Sequence, residues 1–138
     1  MRKLGLDLGN RTLGIALSDE LGFLASGLET FRFPEKDFKS ALDYTLKVIV
    51  QYNVDAVVLG LPKNMDGTLG EQAELTKQFK IDLEKNTDVK IIFWDERLTS
   101  RMASNMMKSQ NLKRKKRKND IDKMAAIIIL QGYLDSLR

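Results

Sequence analysis

The 138-residue chain contains no cysteine and no histidine. Without cysteine it can form no disulfide, thiolate metal site or thiol nucleophile, which is compatible with a reducing cytosol. Without histidine it has no imidazole to act as a general base, zinc ligand or triad member, so catalysis would depend on carboxylates, hydroxyls, lysines or a metal held by oxygen ligands. Mg²⁺ or Mn²⁺ is therefore the expected cofactor.

Long apolar runs are also lacking. No stretch approaches the roughly 20 apolar residues that a membrane-spanning helix needs, and the first residues alternate instead of forming a signal peptide. We therefore expect a cytoplasmic protein that does not bind membranes. Hydrophobic residues make up 43% of the chain and charged residues 30%. These values suit a single domain spanning residues 1–138.

The net charge of +4 is small but unevenly placed. From Arg97 to Lys118 there are nine lysines or arginines and no acid, and six of the nine are consecutive. These six, here called the basic run, are Lys113, Arg114, Lys115, Lys116, Arg117 and Lys118. Such a run is typical either of a solvated loop or of a contact with the phosphates of a nucleic acid. We expect residues 111–118 to be a disordered loop in the free protein.

The beginning of the chain predicts a β-hairpin around a single carboxylate. Residues 3–8 and 12–19 alternate with period two, and Gly9-Asn10 supplies the turn. One predicted face is apolar: Leu4, Leu6, Leu8, Leu13, Ile15 and Leu17. The other carries small side chains and one acid: Gly5, Asp7, Gly9, Gly14, Ala16 and Ser18. An unpaired carboxylate is costly to desolvate there, so Asp7 indicates either a functional site or an ion pair to Arg11.

The remaining patterns predict alternating helices and strands. A third strand is expected within residues 23–33, a helix over 36–52, a strand over 54–59, a loop over 60–70, a helix to about residue 86 and a strand over 89–94. A further helix should end near residue 110. Thr68 and Glu71 form a capping-box pattern, and Asn119 is expected to cap a last helix. The order predicts a mixed five-stranded α/β sheet, with a three-strand antiparallel meander and two parallel strands, flanked by helices.

Three acids are candidates for a metal site. Glu96 follows a predicted strand, and ligand sites of open α/β sheets lie at the ends of such strands. Asp7 lies on a glycine-lined face, and Asp122 shares a helix face with Ala126.

Each acid also has a structural alternative, which for Asp7 is the ion pair to Arg11. Glu96 can pair with Arg97. Asp122 is expected in the first turn of a helix, where the macrodipole favours any acid. Divalent cations keep clustered carboxylates ionised, and two ions about 4 Å apart support in-line displacement at phosphorus.

Four ordered motifs make the sequence similar to the YqgF/RuvX family of bacterial proteins, described as candidate pre-16S rRNA nucleases and earlier as candidate Holliday junction resolvases. The motifs are Gly5-Leu6-Asp7-Leu8-Gly9 continuing through residues 13–19, Gly60-Leu61-Pro62 with Asp66-Gly67 and Gly70, Asp95-Glu96-Arg97-Leu98-Thr99-Ser100, and Ile121-Asp122-Lys123-Met124-Ala125-Ala126. This resemblance implies an RNase H-like fold and a metal-dependent nuclease. It also implies a catalytic and metal-binding triad of Asp7, Glu96 and Asp122.

The resemblance leaves the substrate open. One hypothesis is hydrolysis of structured RNA, most specifically at the 5′ end of pre-16S rRNA; a second is cleavage of a four-way DNA junction; a third is RNA or ribosome binding without catalysis. Candidate nucleic-acid contacts are Arg11, Lys63, Arg97 and the basic run. Family members commonly have arginine where this chain has Thr12, and Arg11 is the nearest substitute. We expect a monomer or a weak homodimer.

Overall fold

A computed structural model describes residues 1–62, 70–95 and 114–137, with the backbone alone for residues 114–122. Five strands form one sheet in the order β3-β2-β1-β4-β5. The strands are β1 Arg2–Leu8, β2 Thr12–Ser18, β3 Ala25–Arg32, β4 Val54–Leu61 and β5 Lys90–Asp95. The described helices are α1 Phe38–Gln51, α2 Glu71–Glu84 and α3 Arg114–Ser136. Strands β1 to β3 are antiparallel neighbours, while β4 and β5 run parallel to β1, which confirms the predicted mixed sheet.

The first hairpin buries its two faces against different helices. A tight turn joins its strands, with the Gly9 amide donating to the Thr12 carbonyl at 2.8 Å. The predicted apolar face packs with residues of α1 and α2 and forms the larger core. Ala16 and Val58, on the opposite face, pack with buried α3 residues, namely Ala126, Ile129, Leu130 and Leu134. The hairpin and its alternation are thus confirmed.

Helix α3 begins six residues earlier than the sequence predicts. It starts at Arg114, so Asn119 lies inside the helix and does not cap it, and the expectation of a disordered loop is wrong for residues 114–118. The run of like charges favoured a loop in the sequence, and four cations in a first turn oppose the macrodipole. Lysine and arginine are nevertheless good helix formers, and a helix anchored by a buried apolar segment propagates outward at little cost. Lys113 and residues 111–112 lie outside the described residues.

The capping-box prediction for α2 is also wrong. The helix begins at Glu71, with Gly70 as its N-cap and no described side chain capping it, whereas Thr68 would have placed the start two residues earlier. The Glu71 carboxylate lies 3.6 Å from the Lys36 ammonium, and the Gln72 amide donates to the Leu8 carbonyl at 3.0 Å. These tertiary contacts fix the first turn without a capping side chain. The helix predicted to end near residue 110 lies outside the described residues.

In the three described segments, no helix combines the length and apolar character needed to cross a bilayer.

The loop between β2 and β3 depends on one carboxylate for its shape. Asp19 Oδ1 accepts hydrogen bonds from the Phe23 and Leu24 amides at 2.8 and 3.1 Å. The Leu24 amide contributes most to lowering the pKa of Asp19, followed by the Phe23 amide. A carboxyl group whose pKa is lower in the folded state stabilises the fold above its unfolded-state pKa and loses this contribution as the pH falls through the folded value.

We therefore expect the unfolding temperature of the wild type to fall more steeply below about pH 4 than that of Asp19→Asn. Thermal melts between pH 6 and pH 3 check this difference. Glu20→Gln, which removes the exposed neighbouring charge, is the matched control and should follow the wild type. Parallel acid profiles for the wild type and Asp19→Asn would contradict this account of the loop.

Candidate active site

Asp7 lies between glycines on both neighbouring strands. Gly14 of β2 is its direct partner in the sheet. On the other side, Gly60 is the residue after Leu59, which pairs with Leu6, so Gly60 lies in the same row as Asp7. The carboxylate is half-buried, and no side chain projects from either neighbouring position. The sheet therefore leaves space on both sides of the Asp7 carboxylate.

Gly60 is a site residue that sequence reasoning assigned to a loop. Strand β4 continues to Leu61, two residues beyond the predicted end, and Gly60 pairs with Trp94 of β5. The alternation of Leu59, Gly60 and Leu61 was the available signal, but Gly60 and Pro62 together favoured a loop. The row of the sheet that contains Asp7 thus extends from Gly14 through Gly60 to Trp94.

Helix α3 crosses the Asp7 face of the sheet antiparallel to β1. Near its middle, the side chain of Lys123 lies against Gly27 of β3. Two turns later, Gln131 accepts from the Ala25 amide at 2.9 Å and donates to the Phe23 carbonyl at 3.0 Å. Later residues of α3 therefore contact earlier residues of β3, so the helix and this strand run in opposite directions. Strand β3 runs in the same direction as β1. Its N-terminal half lies toward the carboxyl end of β1.

This direction places Asp122 toward the end of β1 that carries Asp7. A Cβ built on Gly5 would lie 2.7 Å from Leu130 Cβ and 2.9 Å from the Ala126 carbonyl oxygen, so Gly5 faces the turn of α3 between these two residues. Asp7 is two residues beyond Gly5, or roughly 6.8 Å along the strand. Asp122 is one turn before Ala126, or about 6 Å along the helix in the same direction. The backbone positions of Asp7 and Asp122 therefore both lie beyond this contact in the same direction.

The structural explanation offered for Asp122 does not fit the observed helix. Asp122 is the ninth residue of α3, because the helix begins at Arg114. The macrodipole acts on charges within the first turn, so it does not account for an acid two turns further in. Asp122 lies one turn before Ala126, on the helix face where Ala126, Ile129 and Leu130 are fully buried. The position therefore calls for another explanation.

The third candidate acid follows the end of β5. Asp95 is the last residue of the strand and is exposed. Trp94 packs beside α3, with its indole 3.0 Å from where a Cβ of Gly132 would stand and its ring edge-on to Tyr133 at 6.3 Å. Glu96 itself, like Lys63 and Arg97, lies outside the described residues. Its neighbour Asp95 is at the carboxyl end of β5, on the same edge of the sheet as Asp7.

The predicted nucleic-acid contacts that the structure describes lie in two places. The Arg11 guanidinium, in the turn after β1, lies 3.2 Å from the Glu35 carboxylate, and both side chains are exposed. The ion pair that Arg11 makes is therefore to Glu35, and not the one to Asp7 that the sequence suggested. Residues 114–118 of the basic run form the start of α3.

The donor chemistry at Asp7 suits a hard divalent cation. A half-buried carboxylate between two glycines offers oxygen ligands of the kind that Mg²⁺ prefers, with no side chain beside it in the sheet. Among the side chains that the structure describes, no three acids or histidines lie close enough to hold a metal. Glu96 and the side chain of Asp122 lie outside that set.

Comparison with known proteins identifies the chain's family. The family model described as "RuvX: Holliday junction resolvase" matches residues 1–136. The chain belongs to the RuvX family. A Bacillus subtilis relative, named "Putative pre-16S rRNA nuclease", is 50% identical over 137 residues, which cover 99% of both chains. A Bacillus pumilus protein of the same name is 49% identical with the same coverage.

The fold of this RuvX-family chain is shared with proteins that process branched DNA. Thermus thermophilus RuvC, solved in complex with a Holliday junction substrate, matches 99% of this chain and 95% of its own, with a TM-score of 0.61 and 15% identity. Fowlpox virus resolvase, in complex with Holliday junction DNA, matches 99% of both chains with a TM-score of 0.57 and 15% identity. At these identities the comparison shows the fold alone. It confirms the RNase H-like architecture that the sequence predicts.

Proposed function

We propose that this RuvX-family protein is a metal-dependent nuclease that hydrolyses phosphodiester bonds in structured RNA in the cytoplasm, most specifically in 5′-end maturation of pre-16S rRNA. The observation that carries the proposal is the half-buried Asp7 carboxylate between Gly14 and Gly60, on the face of the sheet that α3 crosses. The names of the Bacillus relatives support the RNA substrate. The absence of histidine and cysteine leaves oxygen ligands as the available metal chemistry.

Asp7, Glu96 and Asp122 are proposed to hold Mg²⁺ or Mn²⁺, as two ions. Bound at these carboxylates, the metal supplies an activated water and stabilises charge on the leaving oxygen. Asp7 contributes from near the carboxyl end of a hydrogen-bonded strand, which fixes the direction of its carboxylate. Gly14 and Gly60 contribute by leaving space for a phosphate to approach that carboxylate.

The start of α3 is proposed to hold the substrate backbone. Residues 114–118 add five positive charges to the end of a helix whose macrodipole is also positive. This combination is unfavourable for the free helix and favourable once phosphates lie against it. Because α3 runs toward the amino end of β1, its basic start lies toward the carboxyl end of β1, near which Asp7 is located.

Arg11, Lys63 and Arg97 are proposed as further phosphate contacts. Arg11 is paired with Glu35, but an exposed ion pair contributes only about 0–1 kcal/mol and exchanges readily for a phosphate. Arg11 is located in the turn directly after the strand that carries Asp7, two residues beyond Gly9. It can therefore approach a backbone that lies across the carboxyl end of β1.

The test is cleavage of two end-labelled substrates, a 16S precursor RNA and a four-way DNA junction, each incubated with Mg²⁺, Mn²⁺ or EDTA. The proposal expects metal-dependent cleavage of the RNA that EDTA abolishes. Cleavage restricted to the junction would reject the RNA substrate and retain the nuclease. Binding of RNA without cleavage of either substrate in any metal would favour the non-catalytic role.

Junction resolution is the second candidate, because the matching family model is described as a Holliday junction resolvase. Resolution of a four-way junction requires two coordinated cuts, which favours a symmetric dimer. Sedimentation of the protein with and without a junction separates the two candidates. A chain that remains monomeric on the junction at micromolar concentration would count against resolution.

A further inference from the structure

Strand β1 and helix α3 approach each other closely at Gly5. A Cβ built on Gly5 would lie 2.7 Å from Leu130 Cβ and 2.9 Å from the Ala126 carbonyl oxygen. Carbon atoms in ordinary contact are about 3.5–4.0 Å apart, so the two elements touch more closely here than any side chain would allow. Gly5, Ala126 and Leu130 are all essentially inaccessible to solvent.

Neither opposing atom can move away by a rotamer change. The carbonyl oxygen of Ala126 belongs to the helix backbone, and Leu130 Cβ is fixed to it by one bond. Adding one methyl group at Gly5 must therefore displace the helix or the strand, and restoring an ordinary carbon contact requires about 0.8 Å. The displacement acts on the whole rigid helix, because α3 is continuous through this contact.

The contact lies next to the proposed metal site on both elements. Asp7 is two residues from Gly5 on the same strand face, and Asp122 is one turn from Ala126. From this geometry we infer that Gly5 is a positioning residue, which sets the distance between Asp7 and Asp122 and thereby the affinity of the site for divalent metal. The inference depends on the proposed function, because it uses the metal site assigned there.

A titration of the whole protein with Mn²⁺ tests this inference without measuring turnover. Electron paramagnetic resonance gives the concentration of the free ion at each step. In Gly5→Ala we expect the dissociation constant for Mn²⁺ to rise about 10–100-fold, the range seen when residues that orient metal ligands are altered. RNA binding in EDTA should remain within about twofold of wild type, since the basic start of α3 retains its charges. Circular dichroism reports whether the variant is folded.

Two controls separate positioning from general destabilisation. Gly27→Ala adds the same methyl group under the same helix, but its Cβ would meet the flexible Cγ and Cδ of Lys123 at 2.7 and 2.8 Å. Leu134→Ala leaves a cavity at the far end of α3, where Leu134 is 1% exposed, and lowers the unfolding temperature without moving the helix from Gly5. Both variants should bind Mn²⁺ within about twofold of wild type.

The outcomes distinguish this inference from the proposed function. If Asp7→Asn loses Mn²⁺ binding while folded Gly5→Ala retains it, Gly5 does not set the spacing and the metal site stands. If Asp7→Asn binds Mn²⁺ as the wild type does, the metal site itself is wrong. Should Gly5→Ala fail to fold in buffer, the same variant is titrated in trimethylamine N-oxide, an osmolyte that favours the folded state, and a Mn²⁺ affinity equal to that of the wild type in the same osmolyte would overturn the inference.

Discussion

Asp7→Asn should lower the rate of metal-dependent RNA cleavage by about 10³-fold, equivalent to roughly 4 kcal/mol of transition-state stabilisation. The substitution keeps the size of the side chain and removes the negative charge that would hold the metal. It should leave the fold intact, because Asp7 is half-buried beside two glycines and the asparagine fits the same space. Single-turnover cleavage of end-labelled precursor RNA measures the effect, with thermal melts of both proteins run alongside.

Asp55→Asn is the matched control for Asp7→Asn. Asp55 is also a strand carboxylate, but it pairs with the Lys3 ammonium at 2.6 Å near the amino end of the sheet. Its loss should lower stability and leave the cleavage rate of the folded protein close to that of wild type. Equal cleavage by Asp7→Asn and wild type would show that Asp7 does not participate in the reaction.

Replacing Lys113, Lys115, Lys116 and Lys118 with glutamine should weaken RNA binding about 10²-fold near 0.1 M salt. Each lysine that contacts a phosphate releases counterions, so the slope of log affinity against log salt should fall by about 3. The helical content should not decrease, since glutamine is a good helix former and removing cations from the first turn relieves their conflict with the macrodipole. Filter binding across a salt series measures both quantities.

The control variant loses the same number of positive charges, but at positions outside the basic run. Lys39, Lys47, Lys85 and Lys90 are exposed lysines, and replacing them with glutamine also lowers the net charge from +4 to 0. If binding depends on the location of the charges, this variant should retain most of the affinity and the salt slope. Identical losses in the two quadruple variants would show that net charge alone attracts the RNA.

Local pattern was sufficient to predict the sheet and the position of Asp7 in it. The alternation around Asp7 determines which residues face α1 and α2, because a strand presents successive side chains to opposite faces. The same alternation identified the small-residue face on which α3 packs. The parallel orientation of β4 and β5 followed from the helix that connects them, since such connections favour parallel neighbours.

The parts that were missed depend on contacts between distant segments. The start of α3 at Arg114 has no local signal, because the helix is stabilised by packing further along at Ala126 and Leu130. Gly70 replaces Thr68 as the N-cap of α2 because tertiary contacts hold the first turn. The placement of the Asp122 backbone toward the carboxyl end of β1 follows from the direction of α3 across the sheet. The roles of Glu96, Lys63 and Arg97 remain predictions from the sequence.

The most direct test of the central claim is the anomalous diffraction of crystals soaked in Mn²⁺, collected from protein that cleaves RNA in the same metal. The account predicts an anomalous peak within direct coordination distance of the Asp7 carboxylate, on the face of the sheet that α3 covers, with Asp122 as a second ligand. Mn²⁺ peaks confined to other carboxylates, with none at Asp7 under saturating metal, would contradict it.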